Sequence, residues 1–155
     1  MEVKELFDYI NGQLFWKIKP CVRVNVGDVA GCLVDKGYIQ VTYRYRQYCV
    51  HRLIWEWHYG SIPEGYIIDH IDGNSLNNKI ENLRMATDSQ NQHNSKKPKN
   101  NTSGIKGVSP SRGKWKVTIY LNDKGYFFGR FDDLELAELI ADEARIKLHG
   151  RYARK

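Results

Sequence analysis

Residues 67–91 read IIDHIDGNSLNNKIENLRMATDSQN, and this stretch decides how the chain is built. Two apolar residues, Ile67 and Ile68, deliver Asp69-His70 at the end of a short strand. The polar loop from Asp72 to Asn78 turns the chain, because Gly and Asn tolerate the backbone conformations of a tight turn. Asn82-Leu83-Arg84-Met85-Ala86 returns as a second short segment. Thr87 or Asp88 is then a suitable N-cap for a helix carrying Asn91. A strand and a helix packed on it share a groove, so this order predicts that Asp69, His70 and Asn91 converge. Carboxylate and amide oxygens suit a hard cation such as Mg²⁺ (or Mn²⁺), and an imidazole takes a proton from water near neutral pH. Metal-assisted phosphodiester hydrolysis needs these three groups.

Upstream, short apolar runs alternate with turns. Gln13–Ile18 follows Asn11-Gly12. Tyr38–Tyr43 alternates apolar and polar side chains after Lys36-Gly37, with Tyr48–Val50 as its hairpin partner across Arg44–Arg46. His51–Tyr59 then carries Leu53, Ile54, Trp55 and Trp57 at helical spacing and stops at Gly60 and Pro63. Those apolar residues are expected core, and His51 beside them a structural histidine. The amides of Asn74, Asn77 and Asn78 are expected to make turns.

At these residues the chain resembles the HNH endonuclease family, and within it the homing-type branch. The shared features are Asp69-His70 with Asp72-Gly73-Asn74, then Asn82-Leu83-Arg84, Gln90-Asn91 and the upstream His51-Arg52-Leu53. The resemblance implies a ββα-metal motif in which His70 is the general base. Asp69 and Asn91 would hold one divalent metal per active site, Mg²⁺ or Mn²⁺, and Asn82 would fix the loop between the strands. Structural zinc is not expected, because the paired Cys-x-x-Cys anchors of other members are missing. The three cysteines, Cys21, Cys32 and Cys49, lie far apart and read as small buried thiols in a reducing cytoplasm.

The C-terminal third differs in charge. Residues 1–94 hold 10 Lys and Arg against 11 Asp and Glu, a balance of −1; residues 95–155 hold 14 against 7, a balance of +7. A basic segment on a neutral body points to an acidic polymer as partner. Between them, Asn94–Gly104 has no large apolar residue and reads as a linker, whose Lys96, Lys97 and Lys99 are placed to lie along phosphates.

Beyond the linker, Gly104–Val108 is expected as a strand. Lys114–Leu121 alternates strictly, with Trp115, Val117, Ile119 and Leu121 facing one way and Lys114, Lys116, Thr118 and Tyr120 the other. After an Asn122–Gly125 turn, Lys124–Phe131 is the third strand. Asp132 with Glu135 opens a helix whose stripe is Ala137, Ile140, Ala141, Ala144 and Leu148. One sheet face is thereby buried, and the other interleaves cations with aromatics as a nucleic-acid surface does.

This segment resembles the plant ethylene-response-factor (apetala-two) DNA-binding domain at Gly107-Val108, Lys114-Trp115, Gly129, Phe131, Ala137, Ala141-Asp142 and His149-Gly150. That resemblance implies DNA contacts from Lys106, Arg112, Lys116, Thr118, Tyr120 and Phe127. Lys114 and Lys124 are basic neighbours on the same sheet. Several arginines that the plant domains use for bases are Ser109, Ser111 and Tyr120 here, so the plant target sequence does not carry over.

The expectation is therefore an α+β chain. Residues 1–94 form N-terminal strands and a helix leading into the ββα-metal motif, 95–103 a basic linker, and 104–155 a three-stranded antiparallel sheet packed on one helix. Its expected activity is metal-dependent, site-specific cleavage of double-stranded DNA by a cytoplasmic monomer or homodimer. A DNA-binding regulator with an inactive HNH fold is the alternative. At 41% hydrophobic and 27% charged residues the composition is that of a globular protein. No apolar run approaches the roughly twenty residues of a membrane span, and the charged start MEVKELFDYI is unlike a signal peptide.

Overall fold

A computed structural model of the chain describes residues 2–35, 37–93 and 101–153. The architecture is mixed α and β and divides into two compact bodies, Met1–Thr87 and Asp88–Lys155. The sequence break in composition lies later, so the helix carrying Asn91 groups with the C-terminal body.

In the first body a short helix α1 (Val3–Leu6) runs into the hairpin β1 (Phe7–Ile10) and β2 (Gln13–Trp16). Its two-residue turn is Asn11-Gly12, both at positive φ, as a tight hairpin between right-twisted strands requires. A second sheet has the order β3 (Cys32–Leu33), β4 (Ile39–Tyr43), β5 (Arg46–Cys49). Its turn is shorter than the expected Arg44–Arg46. Arg44 and Tyr45 alone take it, at φ 48° and 63°, and Arg46 already pairs with Tyr43.

Helix α2 (Val50–Tyr59) follows without a break and buries Val50, His51, Leu53 and Ile54. Val50, Leu53 and Ile54 join Val3, Phe7, Leu14, Trp16, Val41, Ile68 and Leu83 in one core, and Trp55 and Trp57 pack at its margin. On that core lies the third sheet, β6 (Ile67–His70) antiparallel to β7 (Leu83–Ala86). Their inward residues Ile68 and Leu83 anchor the pair. The three cysteines are free, with Cys21 and Cys32 exposed rather than buried as expected.

The second body begins with α3 (Asp88–His93) and continues with the sheet β8 (Val108–Ser111), β9 (Lys114–Leu121), β10 (Lys124–Phe131), in the order β10-β9-β8. The expected strand at Gly104–Val108 is instead a turn. Gly104 and Gly107 stand at φ 77° and 87°, and the Asn101 side chain accepts from Gly104 N and donates to Ile105 O. Pairing starts only at Val108, opposite Val117.

Helix α4 (Leu134–His149) covers one sheet face through Ala137, Ala141 and Ala144, with Val108, Val117 and Ile119 beneath. Its N-cap is Asp133, whose carboxylate accepts from Glu135 N and Leu136 N, and not Asp132. Asp132 is paired with Lys114 at 2.8 Å. The buried helix face also carries a charge that the apolar stripe does not announce. Arg145 is buried and donates to Lys106 O and to the Asp142 carboxylate.

Candidate active site

The β6–β7 register places Asp69 opposite Arg84 and His70 opposite Leu83. Asp69 and His70 are both buried, at 7% and 5% exposure, at the loop end of the hairpin. Their loop is closed by Asn82. Its Nδ2 donates to Asp72 Oδ1 (3.0 Å) and to Asn77 O (2.8 Å), its Oδ1 accepts from Asp72 N (3.1 Å), and its carbonyl accepts from Ile71 N (2.9 Å). One side chain thus ties both ends of the loop together. Burial works against ionisation of Asp72, but hydrogen bonds from Asn77, the Asn74 backbone and Asn82 outweigh it and hold the carboxyl below its ordinary range.

His70 is oriented by a residue that its turn-like sequence context conceals. Asn78, almost fully buried, sets its Oδ1 2.9 Å from His70 Nε2. An amide oxygen can only accept, so Nε2 carries the proton and Nδ1 presents the lone pair. Asn78 Nδ2 itself has no partner among the described residues. Its segment is braced from outside the motif, since Ile80 N donates to Tyr9 Oη (3.1 Å) and Ser75 Oγ to Gly37 O (2.5 Å). The Asn11-Gly12 turn presses against the backbone of Asn78 and Lys79 as well.

Two further rings surround His70. His51 of α2 lies edge-on to it, with centroids 5.0 Å apart at 63°, and Tyr38 approaches His51 and His70 at 5.4 and 6.3 Å. Burial, with smaller contributions from His70 and Arg52, lowers the His51 pKa from 6.5 to about 4. His51 is therefore a neutral partner of the site at physiological pH. No local signal in the sequence links residues 51 and 70; tertiary packing alone does.

Asp69 carries its own cation. Arg84 Nε and Nη2 both donate to Asp69 Oδ2, at 2.8 and 2.7 Å, with both side chains largely buried. Asn91 is half-buried on α3 and belongs to the second body. The donor set named from sequence, an aspartate carboxylate and an asparagine amide, is all oxygen. Among the described residues no three His, Cys, Asp or Glu side chains are grouped to hold a metal ion. A two-oxygen set suits a cation that keeps several waters, as Mg²⁺ does, better than one caged by protein.

Comparison with known proteins bears on residues 48–93, which match the family model described as HNH endonuclease. Protein 3.8 of Escherichia phage T7 is 45% identical over 106 residues, covering 67% of this chain and 87% of that protein. The SPbeta prophage-derived protein YosQ of Bacillus subtilis, named for an HNH homing endonuclease, is 36% identical over 64 residues, 38% of this chain and 37% of its own length. The HNH endonuclease L560 of Acanthamoeba polyphaga mimivirus is 38% identical over 94 residues, 61% of this chain and 49% of its own.

Residues 48–93 match the HNH endonuclease family.

The chain spans less than half the length of the second and third of these relatives. No solved structure gives a significant match. The matched segment holds His51, Asp69, His70, Asn78, Asn82 and Arg84, while Tyr38 and the bracing Tyr9, Asn11-Gly12 and Gly37 precede it.

In the second body, the outer sheet face carries most of the residues expected to meet DNA. Lys114, Lys116, Thr118 and Tyr120 of β9 share that face with Phe127 and Arg130 of β10, their cross-strand neighbours. Tyr120 and Phe127 are 63% and 57% exposed. The Tyr120 ring lies over Gly125, where a side chain would crowd it. Arg130, which sequence reading passed over, stands opposite Lys116 and stacks its guanidinium on Phe127 at 5.4 Å. It reaches this face because a bulge between Phe127 and Gly129 shifts the register of β10. Lys114 is paired with Asp132, Lys124 lies over the Tyr126 ring, and Arg112 is exposed at φ 55° in the β8–β9 turn. A cavity of about 490 Å³ is lined by Lys106, Lys116, Thr118 and Tyr120 among others, and within it Thr118 Oγ1 is buried without a partner among the described residues. Lys96, Lys97 and Lys99 lie outside the described residues.

Proposed function

We propose that this chain is a site-specific, divalent-metal-dependent DNA endonuclease of the homing type. One observation carries the reading: a buried histidine next to a buried aspartate is held through Nε2 by an amide oxygen, which leaves Nδ1 as the basic nitrogen. His70 Nδ1 takes the proton of the attacking water, which enters in line with the departing 3′ oxygen. Asn82 keeps the loop closed and so keeps His70 in its pose. Asp69 and Asn91 are the residues that would hold one divalent cation, which would supply charge neutralisation for phosphodiester hydrolysis.

Double-stranded DNA is the substrate, and the outer sheet face of the second body is its reader, in the manner of the ethylene-response-factor domain it resembles. Lys106, Arg112, Lys116, Thr118, Tyr120 and Phe127 supply the contacts, together with Arg130. Lys114, Lys124 and the linker lysines Lys96, Lys97 and Lys99 supply phosphate attraction. One active site per chain makes a monomer a nickase and a homodimer a double-strand cutter. Among the described residues no helix is long and apolar enough to cross a membrane, which is consistent with work on DNA inside a host cell. Incubation with supercoiled plasmids carrying a library of host DNA tests the reading. Nicked or linear products at defined positions, in Mg²⁺ and not in EDTA, are expected; tight binding without cleavage would establish a regulator instead.

A further inference from the structure

We infer that Arg84 is a resident counter-cation of the active site, which occupies Asp69 in advance of the metal and competes with it. The inference rests on the metal reading above and goes beyond it to a residue outside the expected catalytic set.

Arg84 faces Asp69 directly across the β6–β7 ladder, so its position is fixed by strand register and not by a mobile loop. Its Nε and Nη2 converge on the single oxygen Oδ2, at 2.8 and 2.7 Å. Asp69 and Arg84 keep only 7% and 12% side-chain exposure, so water screens their attraction poorly. A buried carboxylate without a compensating charge is strongly disfavoured, and the arginine supplies that charge before any metal arrives.

The consequence follows from electrostatics. A divalent ion that takes both carboxylate oxygens must displace the guanidinium from Oδ2. One that takes a single oxygen meets a carboxylate already partly neutralised, with a fixed positive charge a few ångströms away. Either way Arg84 weakens metal binding to the DNA-free protein. Scissile phosphate brings negative charge to the same place and relieves the competition, since the guanidinium and the metal can then share anions. Arg84 thus ties firm metal binding to the presence of substrate, a useful property in a nuclease.

The test is a Mn²⁺ titration of the DNA-free, full-length protein, read by the electron paramagnetic resonance of free Mn²⁺. Arg84→Gln keeps a side-chain donor for Asp69 and removes the charge; it is expected to bind Mn²⁺ about tenfold more tightly than the wild type. Arg84→Lys, which keeps the charge, should stay near the wild-type affinity. Added Mn²⁺ should also raise the melting temperature of Arg84→Gln more than that of the wild type. If Arg84→Gln folds only in Mn²⁺, as seen by circular dichroism, the competition is supported in a stronger form. Equal or weaker Mn²⁺ binding by Arg84→Gln, or failure to fold with Mn²⁺ present, would overturn it. Absence of Mn²⁺ uptake by both the wild type and Arg84→Gln, or an Asp69→Asn change that leaves the Mn²⁺ affinity of Arg84→Gln unaltered, would instead refute the metal reading.

Discussion

His70 depends on one amide for its proton inventory. With Asn78 Oδ1 on Nε2, the ring is held as a single tautomer with Nδ1 basic. Replacing Asn78 with Ala removes that choice and leaves a buried ring N–H without its acceptor. Cleavage should slow by roughly tenfold to a hundredfold, the usual cost of losing a partner that orients a reactive group. Stability should fall by about 1–3 kcal/mol. Single-turnover kinetics and urea melts read the two effects separately. His51 has a different signature. Its pKa falls from 6.5 to about 4 on folding, so the unfolded chain binds more protons between those values. Its contribution is complete above pH 6.5 and is lost as the pH falls toward 4, amounting to about 3 kcal/mol. Stability measured across that window should drop in the wild type, and the drop should flatten in His51→Gln. An identical pH profile in the two proteins would mean that His51 is not buried neutral.

At the scale of elements, the β1–β2 hairpin reaches the active site without contributing a residue to it. Gly12 stands at φ 87°, and a Cβ there would sit 3.0 Å from Lys79 N, beside Asn78. Gly12→Ala therefore strains the turn and pushes on the segment that holds His70. A loss of about 1–3 kcal/mol is expected in denaturant melts, together with slower cleavage. Asp133→Ala, which removes the N-cap of α4 far from the catalytic motif in sequence, should cost about 1 kcal/mol and leave single-turnover cleavage of bound DNA unchanged.

The elements differ in how far local sequence specified them. Strand ends at Lys114–Leu121 and Lys124–Phe131 were legible because period-two alternation and an Asn-Asp turn define them locally. The run at Gly104–Val108 was misread because Asn101 and two glycines at positive φ make a turn whose apolar residues mimic a strand. The Asp69–His70 pair and the Asn82 loop were visible as a motif. The Arg84–Asp69 pair needs the strand register, and the packing of His51 and Tyr38 on His70 needs the tertiary fold. Arg130 was missed because only the β10 bulge, which no periodicity records, turns it to the outer face.

Across the whole molecule, charge and chemistry are divided. On the proposed function, the balance of −1 in residues 1–94 would give that segment no long-range attraction for DNA, while +7 in residues 95–155 would supply it. Lys116 and Arg130 stand side by side on the outer sheet face. If each meets a phosphate, Lys116→Gln with Arg130→Gln should flatten the slope of log affinity against log salt by about 1.8, at about 0.9 per contact. The rate of cleavage at saturating protein should hardly change. An unaltered slope would move DNA binding to another surface.

The central claim, that His70 is the base of a metal-dependent nuclease, is tested most directly by the single-turnover rate of His70→Ala on a mapped target in Mg²⁺, with binding measured on the same DNA. Cleavage should fall by roughly 10²–10⁴ while affinity stays within a few-fold of wild type. Cleavage at the wild-type rate by His70→Ala would contradict it.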